Sequence, residues 1–230
     1  YLNPETLKSL TLKYLNPEIP VANAATPAWF NASWQYRKKL TIDNTYVATT
    51  TLVGAANFPI LVSEIDTDIA TYALDDCTDI VFTDSSGTTT LAHEIESCNG
   101  ETGEFNAWVN AALSSTTDTT LYMYYGGYGD QQNASSTWPT AVYAGVWHMD
   151  GDPGGIAPQM TDSAGFSNDA RASSTQSIVD GQIGSTIDYN GTNEYVDAGD
   201  KSSLNFGTGN FAFSTWIKTT TASRRTILSK

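Results

Sequence analysis

The side chains best suited to chemistry in this chain are two histidines, two cysteines and a surplus of carboxylates. His93 stands in the run His93-Glu94-Ile95-Glu96, and His148 in Val146-Trp147-His148-Met149-Asp150. On a helix, a histidine and a glutamate this close could share a metal ion or relay a proton. On a strand, successive side chains point to opposite faces, so His93 and Ile95 share one face while Glu94 and Glu96 share the other. The strand reading makes His93 a hydrogen-bonded core residue, and a joint His93/His148 metal site has no spacing to recommend it. Acid-pair hydrolysis would need two carboxylates about 5 to 9 Å apart. Acids are plentiful, but none sits in a recognisable catalytic block, and Gly-x-Ser-x-Gly, phosphate-loop and His-Glu-x-x-His patterns do not occur. The expectation is a protein without catalytic residues.

Three further groups of residues are candidates for binding or modification. Asp162, Asn168 and Asp169 fall in a Ser/Gly-rich loop whose oxygens suit a hard cation such as a structural calcium ion. The same side chains also cap their own backbone in turns, and that reading stays open beside the metal. Asn31, Asn133 and Asn190 each begin an N-glycosylation sequon. Trp29, Trp34, Tyr124, Tyr128 and Trp138 could stack on sugar rings at a surface, or could belong to the core. Cys77 and Cys98 flank a stretch whose turn lies near Ser86 and Gly87, so folding it as a hairpin brings them to one open end. A disulfide there is geometrically natural. Closing a loop of about 20 residues would contribute roughly 3 kcal/mol in the chain-entropy account. The alternative is a pair of buried thiols in a reducing compartment. A disulfide implies an oxidising location outside the cytoplasm.

The elements that position these residues alternate with period two. Ile80 and Phe82, then Leu91, His93 and Ile95, then Phe105, Ala107 and Val109, then Leu121, Met123 and Tyr125 are each spaced by two. Such runs, separated by polar and Gly-bearing turns, predict antiparallel strands with one buried face. Ahead of them Tyr36, Lys38, Leu40 and Ile42 alternate through the basic run Arg37–Lys39. That run is read as a solvated strand face whose charges discourage edge pairing; an anion or acidic-sugar site is the functional alternative. Phe58–Val62 predicts a short apolar strand, and Ser63–Leu74 the one short helix. Further on, Ile187 and Tyr189, Tyr195, and Phe211, Phe213, Thr215 and Ile217 predict more strands, divided by Asn-Gly and Gly turns.

Residues 1–28 differ in character. YLNPE occurs at Tyr1–Glu5 and again at Tyr14–Glu18, and Leu10, Leu12 and Tyr14 alternate between them as a single extended strand would. Pro17, Pro20 and Pro27 keep the following chain extended. A lone apolar strand has to pair with a sheet edge, of its own chain or of a neighbour. This segment is therefore expected to be a linker whose strand docks locally, or a strand donated to another subunit. Val21-Ala22-Asn23-Ala24 is read as an Ala-rich linker because the residues before it are too polar for a signal-peptide core. The chain is expected to be the mature part of something longer.

Composition narrows the function classes. The 230 residues are 40% hydrophobic and only 16% charged, with a formal net charge of −14. An acidic chain without a basic stripe repels phosphate backbones, which argues against nucleic acid and anionic membrane surfaces as partners. No run approaches the roughly 20 apolar residues that span a bilayer, so no membrane insertion is expected.

The blocks WQYRKKLTI, NFPILVS, DIVFTDSSGTTTLAHEIES, FNAWV and LYMYYG, ending near VWHMD, resemble in order those of an uncharacterised domain family of bacterial and archaeal surface and secreted proteins. The resemblance covers roughly Trp29 to Asp150 and implies architecture and compartment, with no assigned activity. Asp162–Ala170, Asp180–Asp200, Ser203–Thr219 and the TILSK run resemble the first half of a laminin-G-like module of the concanavalin-A type, a two-sheet jelly roll. That resemblance raises the expectation of calcium, and it breaks off at Lys230 within a predicted strand. Half a jelly roll has unpaired edges and an exposed inner face.

The expected fold is all-β: an extended segment at 1–28, a β-sandwich domain at 29–142, and an incomplete laminin-G-like jelly-roll module at 143–230. The expected role is structural or adhesive, at the cell surface or outside the cell. Its partners would be further copies or other surface proteins, in an extracellular filament built by strand complementation. The alternative is a carbohydrate-binding module of a larger secreted protein, with glycans as partners.

Overall fold

The computed structural model describes residues 28–47, 57–220 and 224–230. The strand-donation expectation for Leu10, Leu12 and Tyr14 lies outside the described residues. The chain divides into two compact units, Tyr1–Pro139 and Thr140–Lys230. The described structure is mostly antiparallel strand with little helix, an all-β sandwich architecture.

The first unit places seven strands in two sheets. They are β1 (Tyr36–Ile42), β2 (Phe58–Ile65), β3 (Val81–Thr83), β4 (Thr90–Leu91), β5 (His93–Asn99), β6 (Glu104–Ala111) and β7 (Thr119–Tyr125). One sheet has the order β1-β7-β3-β4 and the other β2-β6-β5. The two inward faces supply one core, in which Leu40, Ile42, Ile60, Val62, Ile80, Phe82, Phe105, Val109, Leu121 and Met123 are all buried. The period-two spacing is the cause: along the strands alternate residues, mostly apolar, reach the space between the sheets. A short helix, α1 (Thr67–Tyr72), follows β2; Asp66 caps it by accepting from the Asp68 amide, and Ile69 is its buried anchor. Ser63 to Ile65, assigned to the helical segment by sequence, instead continue β2. A single turn of helix, α2 (Ala134–Thr137), capped by Asn133, closes the unit.

The hairpin that the sequence predicts around Ser86 and Gly87 forms between β3 and β4, and beyond it the chain turns a corner into the other sheet. Phe82 pairs with Leu91 and Thr83 with Thr90 in the first sheet. The chain then turns at Ala92 and enters the second sheet, where His93 pairs with Val109. Leu91 packs against the core before the corner and His93 is buried after it, so the apolar alternation continues unbroken while the sheet changes. Strands that switch sheets by a bend are how sandwich corners are made.

The first sheet is also covered on its outer face, where the sequence predicts one buried face. Trp34, Val81, Tyr122 and Tyr124 form a second buried cluster, with Trp29 and Phe30 packed against it. Asp79 holds the entry to β3: its carboxylate accepts from the Leu74 amide at 2.9 Å and the Gly126 amide at 2.8 Å, and its carbonyl accepts from the Trp34 indole at 2.9 Å. Gly127 lies flat against Trp34, with room for no side chain: a Cβ there would sit 2.5 Å from the ring.

The second unit has two ribbons of two strands each. β8 (Arg171–Ala172) pairs with β11 (Val196–Asp197), and β9 (Ser177–Asp180) pairs with β10 (Ser185–Asp188). Met160, Ala170, Ala172 and Ile187 form its buried cluster, with Trp147 and Val196 packed against it. The alternating run Phe211–Ile217, predicted as a strand, adopts none: among the described residues no neighbour offers it a ladder, and Phe211, Phe213, Trp216 and Ile217 are exposed.

Candidate functional site

The basic run Arg37–Lys39 departs most from its sequence reading. Arg37 and Lys38 are each only 6% exposed, so the expected solvated face is a buried one. Alternation sends them in opposite directions. Arg37 faces the outer cluster, where its guanidinium lies 4.8 Å from the Trp29 ring centre and 4.5 Å from that of Tyr122. It donates to the Ala28 carbonyl and the Tyr124 hydroxyl, both at 3.1 Å, and Tyr124 donates to the Gly87 carbonyl at 2.9 Å. Aromatic faces and carbonyls are what a desolvated guanidinium needs. Gly87 has φ +79°, and a Cβ there would meet the Ala28 carbonyl oxygen.

Lys38 faces inward, opposite Met123 on β7. Its ammonium contacts the Asp66 carboxylate and lies 2.6 Å from an Asp68 oxygen. Tyr36 stacks on Tyr72 at 4.1 Å and on Tyr125 at 5.6 Å between ring centres. Tyr125 is fully buried and its hydroxyl has no hydrogen-bond partner. Burial first, then the carboxylates of Asp68 and Asp66, push its phenol far above the usual range. The basic run around this buried lysine gave no sign that its partners would come from the cap and first turn of α1.

His93 is a core residue, as the strand reading requires. It is fully buried, packs edge-on against Phe82 at 5.3 Å, and its Nδ1 lies 3.3 Å from the Leu91 carbonyl oxygen. Its Nε2 has no hydrogen-bond partner. Desolvation holds its pKa below the usual value, opposed in part by the Leu91 and Ile80 carbonyls and the Asp130 charge. Glu94 and Glu96 emerge on the far side of the second sheet, where they accept from indoles: Trp138 donates to Glu94 at 2.6 Å and Trp108 to Glu96 at 2.8 Å. These carboxylates position aromatic rings and α2 on the sheet. Trp34, Tyr124 and Trp138 are buried, Trp29 is half-buried, and Tyr128 alone of the five aromatics considered for sugar stacking is exposed.

Cys77 and Cys98 form a disulfide, with Cα atoms 6.1 Å apart. Because the chain turns the corner at Ala92, the bridge joins the loop leading into β3 to the edge strand β5 of the opposite sheet. It fastens the two sheets rather than the two arms of one hairpin. Asn31, Asn133 and Asn190 are all exposed, and each side-chain oxygen accepts from a nearby backbone amide.

In the second unit Asp162, Asn168 and Asp169 do come together. One Asp162 oxygen accepts from the Val146 and Ala164 amides at 2.8 and 2.9 Å, and the other from the Asn168 amide at 2.9 Å. Asp169 accepts from the Asp162 amide at 2.9 Å. Asn168 donates to the Ala144 carbonyl at 2.6 Å and accepts from the Ser203 hydroxyl at 2.9 Å. The oxygens read as calcium ligands thus already accept hydrogen bonds, three of them on Asp162. The arrangement fits backbone capture. Among the described residues no three His, Cys, Asp or Glu are placed to hold a metal ion.

Comparison with known proteins adds one finding. The model of a family described as a domain of unknown function (DUF2341) matches residues 76–150. The matched region holds both cysteines and runs from the loop before β3 through β7 and α2 into the first residues of the second unit. No curated protein and no solved structure matches the chain. No helix among the described residues is long and apolar enough to cross a membrane.

Proposed function

We propose that this is a non-catalytic structural or adhesive protein of the cell exterior, a subunit that assembles by accepting strands from neighbouring polypeptide. The observation that carries the reading is the row of large apolar side chains from Phe206 to Leu228. Phe211, Phe213 and Ile217 are exposed at the even spacing of one strand face, Trp216, Ile227 and Leu228 are exposed beside them in sequence, and none has a ladder among the described residues. Exposed apolar residues in such number are a site for pairing. The disulfide agrees with an oxidising compartment. Glu94, Glu96, Asp169 and His93, which would suggest catalysis, are engaged in holding tryptophans, an amide and the core.

Hydrogen exchange on the full chain tests this reading. Amides of residues 206–228 are expected to exchange fast in dilute solution and to gain protection as concentration rises. Equal, fast exchange at every concentration would remove strand complementation. A glycan-binding module would instead show protection around exposed aromatics such as Tyr128 only when oligosaccharide is added.

A further inference from the structure

We propose that Lys38 and Asp66 become joined by an intramolecular isopeptide bond, with Asp68 as the catalytic carboxylate. The Lys38 amine contacts Asp66 Oδ2, and Asp68 Oδ2 lies 2.6 Å from the same nitrogen. The second oxygen of Asp66, Oδ1, accepts from the Asp68 amide at 2.8 Å. The two oxygens are therefore already differentiated. One is held by a backbone N–H, as a carbonyl under attack would be, and the other faces the nucleophile.

The surroundings favour condensation over a lasting ion pair. The side chains of Lys38 and Asp66 are only 7% and 10% exposed. The Tyr36, Tyr72 and Tyr125 rings stack in series, and the buried Tyr125 hydroxyl beside the two aspartates is without a partner. Two desolvated ions in such a place are expensive, whereas an amide carries no charge to desolvate. Holding amine and carboxyl in contact also replaces a bimolecular encounter, the term that otherwise makes amide formation from an unactivated acid slow.

The step balances without any co-reactant. A proton passes from the Lys38 ammonium to the Asp66 carboxylate, leaving an amine and a carboxylic acid. The nitrogen lone pair forms a bond to Asp66 Cγ, and negative charge gathers on Oδ1 against the Asp68 N–H. Asp68 takes a proton from the nitrogen and delivers it to Oδ2. The Cγ–Oδ2 bond breaks and one water leaves, with Asp68 returned to its starting state. The product is an amide from β1 of one sheet to the residue that follows β2 of the other, 28 positions apart in sequence. It lies at the same end of the sandwich as Cys77–Cys98, where β2 and β5 flank the start of β6. The two edge strands of the second sheet would then each be bonded covalently to the first-sheet side.

Intact-mass measurement on the folded, deglycosylated full chain after thiol reduction is the test. The expected mass is lower than the sequence mass by one water, with fragmentation giving a branched peptide that contains Lys38 and Asp66. Lys38→Arg keeps the charge and is expected to lose the branched peptide and recover the full mass. Asp68→Asn is expected to lose the bond while circular dichroism still reports a β fold. A folded, disulfide-bonded wild-type chain at full mass would overturn the proposal. So would a water deficit that persists in Lys38→Arg, or a branch mapped to Asp68.

Discussion

At the scale of single residues, burial decides what each polar group does. His93 illustrates it: a histidine held neutral in a core lends stability that depends on pH. Its folded pKa lies below its usual value of 6.5, so the unfolded chain binds the proton more readily. The contribution is complete above pH 6.5 and declines as pH falls below it, through the interval down to the depressed folded value. Denaturant unfolding of the wild type and of His93→Gln across that range should show a steeper loss in the wild type; parallel curves would contradict it. The strand periodicity made His93 legible as core, and the two cysteines as a pair. Arg37 and Lys38 were not legible. A basic run in a strand looks solvated from the sequence, because the tyrosines against Arg37 and the aspartates that meet Lys38 come from elements distant in the chain.

At the scale of elements, the strands themselves were legible, since their alternation is a direct consequence of facing a core. Their assignment to sheets was less so. A bend at Ala92 keeps Leu91 and His93 facing inward, and period-two counting does not show that the sheet changes there. For β7, Leu121 and Met123 announced one face, whereas Tyr122 and Tyr124 belong to a cluster completed by residues 29–34. The structure brings Asp162, Asn168 and Asp169 together, but composition does not say whether amides or a cation will meet their oxygens. Asp162→Ala would orphan the Val146, Ala164 and Asn168 amides, at roughly 1–3 kcal/mol for each one left buried. Thermal melts should therefore show a marked loss for Asp162→Ala and no shift on chelation of calcium. A melting point that falls on chelation would place an ion in the loop.

At the scale of the whole molecule, two features work together. The first unit is a sandwich whose sheets are fastened by Cys77–Cys98, a bridge that closes a loop of 21 positions and constrains the unfolded chain. The second unit leaves a run of aromatic and aliphatic side chains exposed to solvent. Under the proposed reading, a body fastened across its sheets and an exposed run that pairs with a neighbouring copy would carry load between subunits outside the cell. This level was the least legible in sequence. The run Phe211–Ile217 has the composition of a strand, but a strand exists only where a second backbone supplies its ladder.

Sedimentation velocity of the disulfide-bonded full chain over a rising concentration series decides whether copies pair. Species heavier than the 24.8 kDa monomer should appear and grow with concentration. A single monomer boundary at every concentration, with residues 206–228 still exposed, would contradict that pairing.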